Sequence, residues 1–235
     1  MPQTTLSVNR RRRPDQYCAT GSTALTGKIV SPHFDQLFAR YPSLLPCQTD
    51  IEAAFRILKT SFADGGQLLL AGNGGSAADA DHIAGELLKG FVRPRLVDLP
   101  DDGTLDPALQ KLQGGLPAIP LTGFPALRTA VANDTSPDLE FAQLVWALGR
   151  PGDVVLGISC SGNARNVLLA LQAARLRGLK TMLLTGATPG KCSPHADICI
   201  RAPDTETFRI QELHLPIYHA LCLALEDHFF SSEAE

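Results

Sequence analysis

The chain has 235 residues, 44% of them hydrophobic and only 6% aromatic, with a formal net charge of −3. That length can bury a full α/β core, the charge offers no pull toward nucleic acid or an anionic membrane, and no apolar run approaches the ~20 residues of a membrane span. No apolar stretch of a secretory signal stands at the start, and the six cysteines (Cys18, Cys47, Cys160, Cys192, Cys199, Cys222) include no Cys-x-x-Cys pair, as expected of a reduced, cytoplasmic protein.

Residues 1–31 show no period and carry Arg10 to Arg13 followed by Pro14. They read as a solvated, disordered tail, with an anionic-partner patch as the alternative. From His33 to Ala63 the apolar spacing is helical (Phe34, Leu37, Phe38, then Ile51, Ala54, Phe55, Leu58, Phe62). Pro42 and Pro46 split it into a short helix and a longer one that Thr49 or Asp50 would cap. This is an N-terminal helical layer of the kind that packs against a neighbouring subunit.

Gln67–Ala71 is a short apolar strand. It stops at Gly72-Asn73-Gly74-Gly75-Ser76, and a helical pattern begins at once. The glycines permit backbone angles and close approaches that side chains block. The N–H groups at the helix start, with Ser76 beside them, favour an anion such as a phosphate. His82 and Glu86 are four residues apart and so leave one face of that helix. Asp79 and Asp81 read as acids that complement the helix dipole.

Phe91 to Gly115 is a long connection with turn residues and one short helical stretch, Pro107 to Leu112. Ordered connections of this length are usually lids or interface arms. Leu116–Leu121 is a strand weakened by its prolines. Helices follow over Ala126–Ala132 and Pro137–Leu148, separated by Asn133-Asp134. Val154–Ile158 is the cleanest buried strand and enters Ser159-Cys160-Ser161-Gly162-Asn163, then a helix from Ala164 to Arg177. This is a second strand–loop–helix anion site, in which hydroxyls supplement the backbone donors. Lys180–Leu184 and Ala196–Arg201 are the last strands. A helix capped by Asp204 or Thr205 runs to Phe230 and carries Gln211, His214 and His219, with Pro216 expected to kink or divide it. His214 reads as a packing or interface histidine or as a competitor of His219. Residues 231–235 read as a frayed end.

Strands and helices alternate, which predicts an α/β fold: a parallel sheet covered on both faces, with ligands beyond the C-terminal strand ends. Both glycine-and-serine loops lie at that edge.

Three motifs carry a family resemblance. Gly72-Asn73-Gly74-Gly75-Ser76 with His82 and Glu86, Gly157-Ile158-Ser159-Cys160-Ser161-Gly162-Asn163, and Arg209-Ile210-Gln211-Glu212 with His214 and His219 occur in that order. Together they resemble the phosphoheptose isomerase group of sugar-isomerase (SIS) domains over about residues 49–230. The resemblance implies one SIS domain over residues 32–230, a three-layer α/β/α sandwich on a five-stranded parallel, flavodoxin-like sheet, and a homotetramer (or dimer) with sites at subunit contacts. It implies an aldose–ketose isomerase that interconverts sedoheptulose 7-phosphate and a heptose 7-phosphate.

Asn73, Gly74, Gly75, Ser76, Asn133, Asp134 and Gln211 would contact the phosphorylated sugar, and Ser159, Cys160 and Ser161 would hold its phosphate. Glu86 and His219 would be the acid/base pair. His82, Glu86, Gln211 and His219 match positions that bind zinc in some members; no nucleotide cofactor, nucleic acid or membrane is implied. Cys160 stands where the family has threonine, and Ala164 where it has a serine. SIS domains also occur as phosphosugar sensors and as partners of a replication initiator, and isomerases for other phosphosugars form a further alternative.

Overall fold

The computed structural model describes residues 31–100 and 103–231. The arginine run and both expected tails lie outside these residues, apart from Ser31 and Ser231. Among the described residues twelve α-helices and strands follow one another: α1 (Pro32–Arg40), α2 (Gln48–Ala63), β1 (Leu68–Gly72), α3 (Gly75–Leu88), β2 (Ala118–Pro120), α4 (Pro125–Asp134), α5 (Glu140–Leu148), β3 (Val154–Ile158), α6 (Arg165–Leu176), β4 (Lys180–Thr185), β5 (Ile198–Arg201) and α7 (Thr207–Phe230). Short 3-10 turns join several of them.

The five strands form one sheet in the order β2-β1-β3-β4-β5, and every pair is parallel. Strand residues alternate between two cores, as the period of two demands. Leu68, Leu70, Val154, Leu156, Met182 and Leu184 pack beneath α1, α2, α3 and α7. Leu69, Ala71, Val155 and Leu183 pack beneath α5 and α6. The result is the expected three-layer sandwich. Because the order reverses between β1 and β3, a crevice opens beyond their C-terminal ends. Among the described residues no helix is long and apolar enough to cross a membrane.

Several local expectations are corrected. β2 is only three residues long and lies at the sheet edge, where Pro117 and Pro120 remove ladder donors at least cost. α2 begins at Gln48 directly from a 3-10 turn, so neither Thr49 nor Asp50 caps it. Asn133 and Asp134 form the last turn of α4 rather than following it. The Asp204 carboxylate accepts from the amides of Thr205 and Glu206, one turn before α7 proper. Pro216 is buried inside an uninterrupted α7. The 91–115 connection is an arm closed by an antiparallel bridge between Leu96 and Gln113, with a 3-10 turn at Pro107–Lys111.

Candidate active site

The β1–α3 loop turns on Gly74, whose φ of 56° and ψ of −122° suit glycine rather than a residue with a side chain. The next residue is glycine for a different reason. A Cβ on Gly75 would collide with the side-chain amide of Gln211, which reaches across from α7. Ser76 is buried, and its hydroxyl stands 4.0 Å from the Cys160 sulfur in the β3–α6 loop. Burial pushes the Cys160 thiol above its ordinary pKa, with hydrogen bonds from Ser76 and Gln211 opposing the shift. Thus Gly75, Ser76, Cys160 and Gln211, from three separate motifs, meet at one place.

The β3–α6 loop is internally braced. The Ser159 hydroxyl is buried and accepts from the Ala164 amide at 3.4 Å, whereas Ser161 is exposed and its hydroxyl accepts from the Asn163 amide. Ala164 occupies the N-cap of α6 and supplies no side-chain acceptor. Asn73 forms a reciprocal amide pair with Asn166, each bond 2.9 Å. Asn166 also donates to Glu140, which pairs with Arg128 at 2.7 Å. Asn133 and Asp134 bond to each other at the exposed end of α4.

The second half of the site lies between α3 and α7. His82 Nε2 is 3.1 Å from Glu86 Oε1 and 3.4 Å from His219 Nε2. Its other nitrogen, Nδ1, is 3.1 Å from the Tyr218 hydroxyl. Burial holds the His219 imidazole below its ordinary pKa, reinforced by His82 and opposed by Glu86. His219 is therefore biased toward the neutral form, which can accept a proton at neutral pH. Among the described residues, no three His, Cys, Asp or Glu side chains form a ready metal-binding cluster.

The structure separates His214 from this group. It is fully buried, with Nε2 3.3 Å from the Thr185 carbonyl, which is the packing role. Asp79 is not a simple dipole acid, because its carboxylate accepts from Tyr218 at 3.3 Å and burial raises its pKa. Sequence reasoning missed Tyr218 and Asn166. The only available signal for Tyr218 was its place beside His219, and for Asn166 its place one turn after the second loop.

Two glycine- and serine-bearing loops at the C-terminal edge of a parallel sheet, beside a histidine–carboxylate group, make an α/β domain whose edge suits a small anionic ligand. The SIS domain family model matches residues 129–224. Phosphoheptose isomerases of Roseiflexus sp. (strain RS-1) and Rhodospirillum rubrum are 43% and 40% identical over 180 and 181 residues, 77% of this chain in each case and 82% and 87% of theirs. Among solved structures, phosphoheptose isomerase GmhA from Neisseria gonorrhoeae superposes with a TM-score of 0.65 at 32% identity, covering 83% of this chain and 96% of that one. A phosphoheptose isomerase from Francisella tularensis gives 0.65 at 29% identity, covering 84% and 100%. The chain belongs to the phosphoheptose isomerase family of SIS-domain proteins.

Proposed function

We propose that the protein isomerises sedoheptulose 7-phosphate to a heptose 7-phosphate, with Glu86 and His219 as its acid/base pair. The observation that carries this reading is the convergence of His82, Glu86 and His219 on facing helices, next to loops that suit a phosphate. Ser76, Ser159, Cys160, Ser161 and the starts of α3 and α6 would hold the phosphate. Asn73, Gly74, Gly75 and Gln211 would line the sugar, and Asn133 and Asp134 are assigned to it by the family resemblance alone, since their side chains bond to each other.

Glu86 would then remove the proton from C1 of the ketose, giving an enediolate with its charge on the C2 oxygen, and the neutral His219 would carry the C1 hydroxyl proton to that oxygen. Glu86 would return its proton to C2, leaving the aldose. Burial keeps the His219 imidazole largely neutral, which suits it to take up the hydroxyl proton before passing it on. Tyr218 at His82 Nδ1 fixes the imidazole between Glu86 and His219.

Zinc is a finer part of the proposal. His82, Glu86 and His219, with the Gln211 amide, would hold it, and two imidazoles, a carboxylate and an amide oxygen are donors that zinc accepts. A cation there would polarise the sugar carbonyl. We also propose a homotetramer or dimer, because His219 opens onto a groove between α1 and α7 lined by His33, Arg40, Tyr41 and Leu215 that a second subunit would complete. Sedimentation at micromolar concentration tests this, and a monomer contradicts it.

The test of function is an NMR screen in deuterated water with a panel of ketose and aldose phosphates. Deuterium uptake next to the carbonyl of sedoheptulose 7-phosphate is expected. Binding without exchange for every sugar would favour a phosphosugar sensor, a reading supported by the missing hydroxyls at Cys160 and Ala164.

A further inference from the structure

Arg95 and Glu226 are completely buried, and their side chains pair at 2.9 Å. Burying two charges is expensive, and such a pair is seldom more stabilising than apolar side chains of the same volume. What the two side chains hold is therefore the informative part. Arg95 donates from Nη1 to the Leu87 carbonyl at 2.8 Å and from Nη2 to the Glu86 carbonyl at 3.2 Å. These belong to the last turn of α3, where carbonyls lack helical partners and a cation is favoured. Glu226 accepts from the Phe91 amide at 2.8 Å and from the Val92 amide at 3.0 Å. The guanidinium also lies 4.4 Å from the centre of the Phe230 ring.

One buried pair thus joins three segments: the end of α3, the start of the 91–115 arm, and α7. Each segment touches the reacting group. Glu86, whose backbone is held, carries the candidate base. Glu226 lies seven residues, about two turns, beyond His219 on α7. The ring of Phe91, whose amide is held, rests 5.3 Å from the His219 ring. The 3.4 Å approach of His219 to His82 spans the two helices that this pair clamps.

We propose that Arg95 and Glu226 are positioning residues, which clamp α3 and the Phe91 backbone to α7 and so set the separation of Glu86 and His219 during proton transfer. The proposal rests on the acid/base reading above. It differs from a folding role in what it predicts. A folding role lowers stability alone; a positioning role lowers kcat in folded protein and spares KM, because the phosphate is held by the other loops.

The first variant is the paired apolar replacement Arg95→Met/Glu226→Leu, which keeps volume, removes both charges and should keep the fold. The expected result is a folded protein with a lower melting temperature, because the Phe91 and Val92 amides and the α3 carbonyls lose these partners. KM should stay within about threefold and kcat should fall by about 30-fold or more, since a displacement near 1 Å costs on the order of 10²-fold. Arg95→Lys is the second variant: it retains the charge opposite Glu226 but loses the fork that reaches both α3 carbonyls, and kcat should fall about tenfold. It decides the matter if the double variant does not fold. Leu171→Ala, in the opposite core, is the control that loses stability and keeps kcat. Wild-type kcat in a folded Arg95→Lys or Arg95→Met/Glu226→Leu protein overturns the proposal. Glu86→Gln in the same assay separates the two failures: if it keeps full rate, the acid/base reading itself is wrong.

Discussion

Gly75→Ala should damage the site while leaving the fold almost untouched. Gly75 is the first residue of α3 and its φ is not in the left-handed region, so alanine fits the backbone. Helix propensity changes stability by at most ~1 kcal/mol, in alanine's favour. The new methyl, however, would occupy the space of the Gln211 amide. That amide is the end of a flexible side chain, so it moves away and gives up its place beside Cys160 and the loop. A lost hydrogen bond to a neutral sugar hydroxyl is worth roughly 0.5–1.5 kcal/mol, or about 2- to 13-fold in affinity for the phosphosugar. The assay is a double-mutant cycle of Gly75→Ala and Gln211→Ala, reading phosphosugar affinity by calorimetry and melting temperature in parallel. With the Gln211 side chain already removed, Gly75→Ala should have almost no further effect on binding. An equal loss in both backgrounds would refute the steric argument.

Other expectations concern stability and the phosphate loop. Burial lowers the His214 pKa from 6.5 to about 4, so the folded state binds fewer protons than the unfolded state between these values. Stability is then fully present above about pH 6.5 and is lost as pH falls toward 4; urea titrations should show about 2 kcal/mol of loss between pH 7 and 4.5 that His214→Gln does not share. Ala164→Ser supplies the missing N-cap of α6 and a hydroxyl to the loop, so it should raise stability by about 1 kcal/mol and lower KM for the phosphosugar, as denaturant melts and steady-state kinetics will register. Unchanged stability and KM would mean that the serine does not reach the helix end.

The sheet was legible because its strands are short apolar runs between turn signals; the bounds of β3 matched at both ends. The pairing of His82 with Glu86 was legible because it depends only on helical spacing within one segment. What escaped depends on contacts between segments distant in sequence. Tyr218 reaches His82 and Asp79 across 136 and 139 positions, and the amide pair of Asn73 and Asn166 spans 93. No period or cap encodes such pairings. Gly75 shows the same limit: its flexibility was read from the sequence, but the reason, room for Gln211, is tertiary. Arg95 read as part of a loop because its neighbours are prolines and charges, although the structure buries it completely. The caps at Thr49 and Asp50 failed because a 3-10 turn already feeds the chain into α2.

In the proposed reaction Glu86 moves the proton between the two sugar carbons. Glu86→Gln preserves size and hydrogen bonding and removes the basicity. The decisive measurement is the rate at which this variant exchanges deuterium from solvent into sedoheptulose 7-phosphate, alongside its affinity for the same sugar. Exchange should slow by roughly 10²–10⁴-fold with affinity changed only a few-fold. Exchange at the wild-type rate would contradict this role of Glu86.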